Sequence, residues 1–125
     1  MSCNYINLQI STQPYVLITA FKYATMKTLT EFKASLNLPQ PDNNLSVQLK
    51  SLWYDGKGDW HKAHAQVDDQ TDRASAWVHA YLHRKEGDIW NADYWYNRAK
   101  QVRPKVTLEE EWEALVVHFL STAKI

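Results

Sequence analysis

The sequence predicts an all-α protein of antiparallel helical hairpins closed by a C-terminal amphipathic capping helix. Three observations predict it. Apolar residues recur at helical spacing from about residue 42 onward; the pairs Gly58-Asp59 and Gly87-Asp88 punctuate that pattern; and Pro39, Pro41 and Pro104 all fall outside the periodic stretches. A chain of 125 residues is long enough to bury one core without disulfide or metal staples.

Residues 1–25 carry a single charge, Lys22, and alternate loosely at Tyr15, Leu17 and Thr19. They read as an N-terminal extension ahead of a native start at Met26, or alternatively as a short strand near residues 15–21. Residues 26–125 read as a single helical domain. Its first helix shows Leu45, Leu49, Leu52 and Trp53 at i, i+4, i+7 and i+8, one apolar stripe. At Gly58-Asp59 the glycine suits the left-handed residue after a helix and the aspartate caps the next one. A second helix then runs from about Trp60 to Val67, and residues 68–72 form a loop and cap. A third spans about Arg73 to Glu86. Gly87-Asp88 repeats the device, and a fourth runs from Ile89 to about Val102, before Pro104. Thr107-Leu-Glu-Glu110 has the pattern of a capping box. It opens a last helix whose Leu108, Trp112, Leu115, Val116, Phe119 and Leu120 make the cleanest apolar stripe of the chain.

Composition excludes several functions. Lysine plus arginine equals aspartate plus glutamate at 14 each, so no basic footprint for nucleic acid or anionic membrane exists. The longest apolar run, Tyr15 to Phe21, is far short of the roughly 20 residues that cross a bilayer. Nothing basic precedes that run, as a secretion signal would require. The single cysteine, Cys3, can form no internal bridge and fits a reducing compartment. A cytoplasmic protein is the expectation. No phosphate-binding glycine loop, nucleophile elbow or cysteine-based motif occurs.

An internal repeat runs through the helices. Gly58-Asp-Trp-His-Lys-Ala63 and Gly87-Asp-Ile-Trp-Asn-Ala92 share glycine, aspartate and alanine at identical spacing. The second copy continues with Tyr96, Ala99 and Pro104, and Ala80 supplies a small residue on the helix before it. Over residues 73–104 this spacing resembles a tetratricopeptide repeat, which implies two antiparallel helices brought close by small alanines. The chain departs from that pattern where leucine and tyrosine are usual, placing His79 and His83 there, and Ala76 stands at the tryptophan position. The preceding copy departs further, with Lys50 and Ser51 at packing positions. The strings Ala76-Trp-Val-His-Ala-Tyr-Leu-His-Arg-Lys-Glu-Gly-Asp88 and Asn91-Ala-Asp-Tyr-Trp-Tyr96, with Trp60-His-Lys-Ala-His64, also resemble a group of small uncharacterised microbial proteins. That resemblance covers about half the chain and implies no chemistry.

The residues that bind things concentrate in one segment: His61, His64, His79 and His83, interleaved with Trp60, Trp77, Tyr81 and Trp90. His79 and His83 are four apart and share one helix face; His61 and His64 are three apart on the preceding helix. Four imidazoles could thus converge. Such a set suits zinc, the metal a histidine site of this kind would take, or copper, iron or nickel. Asp72 and Glu86 would stand behind it to fix the tautomers. The pair reads His-Ala-Tyr-Leu-His and lacks the glutamate of the linear metalloprotease pattern. Against the metal stands a plainer reading, in which histidines at packing positions are buried, neutral and hydrogen-bonded.

On another face of the third helix, Trp77, Tyr81 and Arg84 follow at i, i+4 and i+7. An aromatic and arginine groove of this kind suits a peptide carboxylate, a phosphate or a stacked ring. Trp90, Tyr94 and Arg98 form a similar stripe on the fourth helix, suited to the last helix or a second subunit. The leading expectation is a small helical interaction or ligand-binding module that takes a protein, peptide or small molecule at Trp77, Tyr81 and Arg84. The alternative is a metal- or histidine-dependent enzyme using the histidines. A third is a structural homodimer joined through aromatic stripes.

Overall fold

In the computed structural model, residues 28–123 are described; the expectations for residues 1–25, for Met26 and for Cys3 lie outside them. Among the described residues there are six helices and no strand: α1 (Leu29–Ser35), α2 (Val47–Gly56), α3 (Trp60–Val67), α4 (Arg73–Glu86), α5 (Ile89–Ala99) and α6 (Leu108–Thr122). None is long and apolar enough to cross a membrane.

Local chemistry explains most boundaries. Asp59, Asp72 and Asp88 each accept a hydrogen bond from a backbone amide three residues on, as N-caps of α3, α4 and α5. Thr107 and Glu110 form the reciprocal capping box of α6. Gly87 ends α4 at φ 93°, a left-handed conformation that a Cβ would disfavour. Two boundaries differ from expectation. Helix α5 stops at Ala99 because Lys100 turns left-handed at φ 61° and Gln101 N–H reaches back to the Tyr96 carbonyl. Helix α1 lies ahead of the first helix expected from the apolar spacing, and Thr28 and Glu31 form a complete capping box in front of it.

The main core joins α1, α2, α3, α4 and α6 through Phe32, Leu52, Trp53, Val67, Leu82 and Leu115, among others. Each such side chain contributes about 1.5–3 kcal/mol on leaving water. A smaller cluster, Ala80, Ala92 and Tyr96, joins α4 to α5. Polar pins fix the helices against one another. Ser51 Oγ donates to the Ala63 carbonyl at 2.7 Å, tying α2 to α3. Trp60 Nε1 donates to the Leu82 carbonyl at 2.8 Å, tying α3 to α4. Trp112 Nε1 donates to the Leu52 carbonyl at 3.0 Å, tying α6 to α2. The middle pin matters most for the site, because it sets which turn of α3 faces which turn of α4.

Candidate metal centre

Helix α4 carries His79 and His83 one turn apart, and both are buried at 4% and 7% exposure. Helix α3 brings His64 against them. The Nε2 atoms of His64 and His79 are 2.9 Å apart. Ring centroids are 4.6 Å apart for His64 and His79, 4.8 Å for His79 and His83, and 5.2 Å for His64 and His83. One ring nitrogen from each of the three lies within 4.8 Å of the others. Nitrogens bound to one tetrahedral zinc at 2.0–2.1 Å would sit about 3.3 Å apart, so adjustments of side-chain scale would seat an ion.

Two tryptophans hold the rings. Trp60 stacks on His64 at 4.8 Å and 14°, and its own N–H is anchored on α4. Trp95, from α5, stacks on His79 at 4.0 Å and 18°. Carboxylates stand behind two of the imidazoles. Glu86 Oε2 lies 2.7 Å from His83 Nδ1, so that nitrogen carries the proton and donates, leaving the lone pair on Nε2. Asp68 Oδ2 is 3.7 Å from His64 Nδ1 and biases it the same way. His79 has no such partner: its Nδ1 is buried and makes no hydrogen bond.

Burial holds two of the rings, His64 and His79, in the neutral form. Burial pushes His79 down to about 3, helped by the neighbouring His64 and His83. Burial also lowers His64, with His83 adding to the effect. The Nε2 atoms of His64 and His79 share a hydrogen bond, so one of them carries its proton inside the cluster, and a bound ion would take that proton's place. The three rings open on a cleft of about 440 Å³ bordered by Trp90, Asn91, Tyr94 and Trp95 of α5. Asn91 Nδ2 lies 3.5 Å from His83 Nε2 on that side.

The other expected site residues fall elsewhere. His61 is exposed on α3 and meets the edge of Trp60, outside the cluster, so three imidazoles converge and not four. Asp72 is not behind the histidines. It caps α4 and accepts from Gln48 at 3.3 Å, and Asp68 takes the place expected of it. Glu86 does stand where expected. His83, Glu86 and Asp88 form a second close triple, but Asp88 is committed to the Asn91 amide as the α5 cap.

The face of Trp77, Tyr81 and Arg84 is not an open groove, because α6 packs over it. Trp77 meets His118 and Phe119 at 4.9 and 5.9 Å. Tyr81 is 2% exposed and donates to Asp55 Oδ2 at 2.7 Å. Arg84 donates to Glu111 at 2.6 Å and to the Val106 carbonyl. Burial, then the Asp55 carboxylate, pushes the Tyr81 hydroxyl well above the usual tyrosine range, so it stays a donor. These side chains are core and inter-helix ties.

Asp68, Asn91 and Trp95 were missed at the sequence level. Asp68 was legible in part, since it follows His64 at i+4. The chain matches no protein-family profile, no curated protein and no solved structure.

Proposed function

We propose that this protein is a small helical metal-binding module, with a transition metal, zinc first, held by His64, His79 and His83. The reading rests on one observation above the rest: three ligand nitrogens from two helices lie within 4.8 Å of one another. Three further features support it. Burial holds His64 and His79 neutral, His64 and His83 have carboxylates at the nitrogen away from the cluster, and two rings are clamped between tryptophans and one another. Packing alone explains a buried histidine bonded to a neighbour. It does not explain three converging together at the floor of a cleft.

The scaffold we read as tetratricopeptide-like pairs of antiparallel helices. Its support is the spacing of residues 73–104 and the contact of α4 with α5 through Ala80 and Ala92. The interaction groove at Trp77, Tyr81 and Arg84 is not retained, since its three side chains are committed within the fold.

Titration calorimetry of the untagged full chain with zinc chloride tests the reading. One ion per chain is expected. His64→Ala and His83→Ala, each checked for retained helix by circular dichroism, weaken binding by more than about 100-fold, beyond what loss of an orienting hydrogen bond produces. His61→Ala leaves it unchanged. Absence of saturable binding, or equal loss in His61→Ala, overturns it.

A further inference from the structure

The donor set stops at three. Among the described residues, no fourth histidine, cysteine, aspartate or glutamate joins the group of His64, His79 and His83. Asp68 lies behind His64, on the Nδ1 side, and Glu86 lies behind His83. The element that faces the cluster across the cleft is α5, which presents Trp90, Asn91, Tyr94 and Trp95, none of them a metal ligand by habit. A tetrahedral ion held by three protein nitrogens keeps one position for a molecule from solution.

The character of the cleft bears on that molecule. Its volume, about 440 Å³, lies in the range of small-molecule sites. Beyond the histidines, its border carries the rings of Trp90, Tyr94 and Trp95 together with Asn91 and Asp68. Trp95 has one face against His79, and Trp90 stands at 82% exposure with no ring contact among the described residues. A tryptophan so exposed offers a free face for stacking. Histidine nitrogens bring no negative charge to a divalent ion, so the ion itself favours an anionic donor at the open position; Asp68 also lines the cleft, and the Arg98 guanidinium lies beyond its border, 5.4 Å from the Trp95 ring and 5.9 Å from that of Tyr94. The Asn91 amide, 3.5 Å from His83 Nε2, is placed to donate to an oxygen bound at the open position.

We infer that the fourth position of this centre takes an exogenous planar aromatic anion, an aryl carboxylate or the like, whose donor atom binds the ion while its ring lies among Trp90, Tyr94 and Trp95. The inference rests on the metal reading above. Recognition is divided: the ion and Asn91 hold the anionic group, and the tryptophans and tyrosine hold the ring.

Cobalt(II) replaces zinc as a visible probe, with benzoate and acetate as paired ligands that share a donor and differ in the ring. At saturating cobalt, both ligands should shift the visible bands of the full chain, benzoate at about tenfold lower concentration. Trp90→Ala should bring the two concentrations together. Cobalt bands that neither ligand moves mean a closed centre and overturn the inference while leaving the metal reading intact. Equal response to benzoate and acetate in the unaltered chain overturns the aromatic class. If cobalt itself gives no bands of a bound ion, the metal reading fails, and the inference with it.

Discussion

His83 is a ligand only if its proton stays on Nδ1, and Glu86 is the group that keeps it there. Replacing Glu86 by glutamine preserves shape and removes the carboxylate charge that orients the ring. Zinc affinity of Glu86→Gln, measured by competition with a coloured chelator, should therefore fall about 10-fold or more with one ion per chain retained. Unchanged affinity would mean that the carboxylate does not orient the ring. His79 supplies a second prediction at this scale. Its pKa is near 3 in the fold and near 6.5 in an unfolded chain. Above pH 6.5 both states are neutral and this group contributes no pH dependence. Between about 6.5 and 3 the unfolded chain binds a proton that the fold refuses, so stability falls as pH falls. The slope approaches about 1.4 kcal/mol per pH unit for this one group. Urea unfolding of the metal-free protein at pH 7, 5.5 and 4.5 should show that decline, and His79→Leu should make it shallower by one proton. A parallel decline in the variant would assign it to other groups.

Among the helices, stability should respond most where a cap or a cross-helix bond is single. Gly87→Ala forces a side chain onto a left-handed residue and should cost about 1 kcal/mol in chemical denaturation. Nothing else is crowded there, since an added Cβ would meet no atom within 4 Å. Tyr81→Phe removes a donor from the Asp55 carboxylate, which is 3% exposed and keeps Lys85 as its side-chain donor among the described residues. That loss should cost about 1–3 kcal/mol by the same measurement. The contrast between these two positions shows what was legible beforehand. Gly87 and the caps Asp59, Asp72, Asp88 and Thr107 could be read because their partners lie within three or four residues. Tyr81 and Arg84 could not, because what covers them, Asp55 of α2 and Glu111 of α6, is distant along the chain. Their spacing described a helix face correctly and left open whether anything lay on it. Helix α1 was missed for a different reason. Its signal, Thr28 and Glu31, was local, but it sits before Pro39 and Pro41, which set the expected start of the helices too late.

Across the whole molecule, the centre depends on three helices that meet only after the fold is made. Helix α4 supplies two imidazoles, α3 supplies one, and α5 supplies the stacked Trp95 and the border of the cleft. The i, i+4 pair on α4 was visible in the sequence. Which of His61 and His64 would join it was not, because the answer depends on how α3 is rotated, and that is set by Trp60 reaching the Leu82 carbonyl. Binding that requires the folded arrangement should also stabilise it. At zinc concentrations 100 times the dissociation constant, the gain should be about 2.7 kcal/mol, read as a rise in melting temperature that His64→Ala abolishes. The central claim, that His64, His79 and His83 hold one ion, is tested most directly by zinc X-ray absorption on the loaded, untagged protein. Three imidazole nitrogens and one further light atom at about 2.0–2.1 Å are expected, with the imidazole number falling in His64→Ala and unchanged in His61→Ala. A shell of oxygens with one imidazole or none, or a spectrum indifferent to the loss of His64, would contradict it.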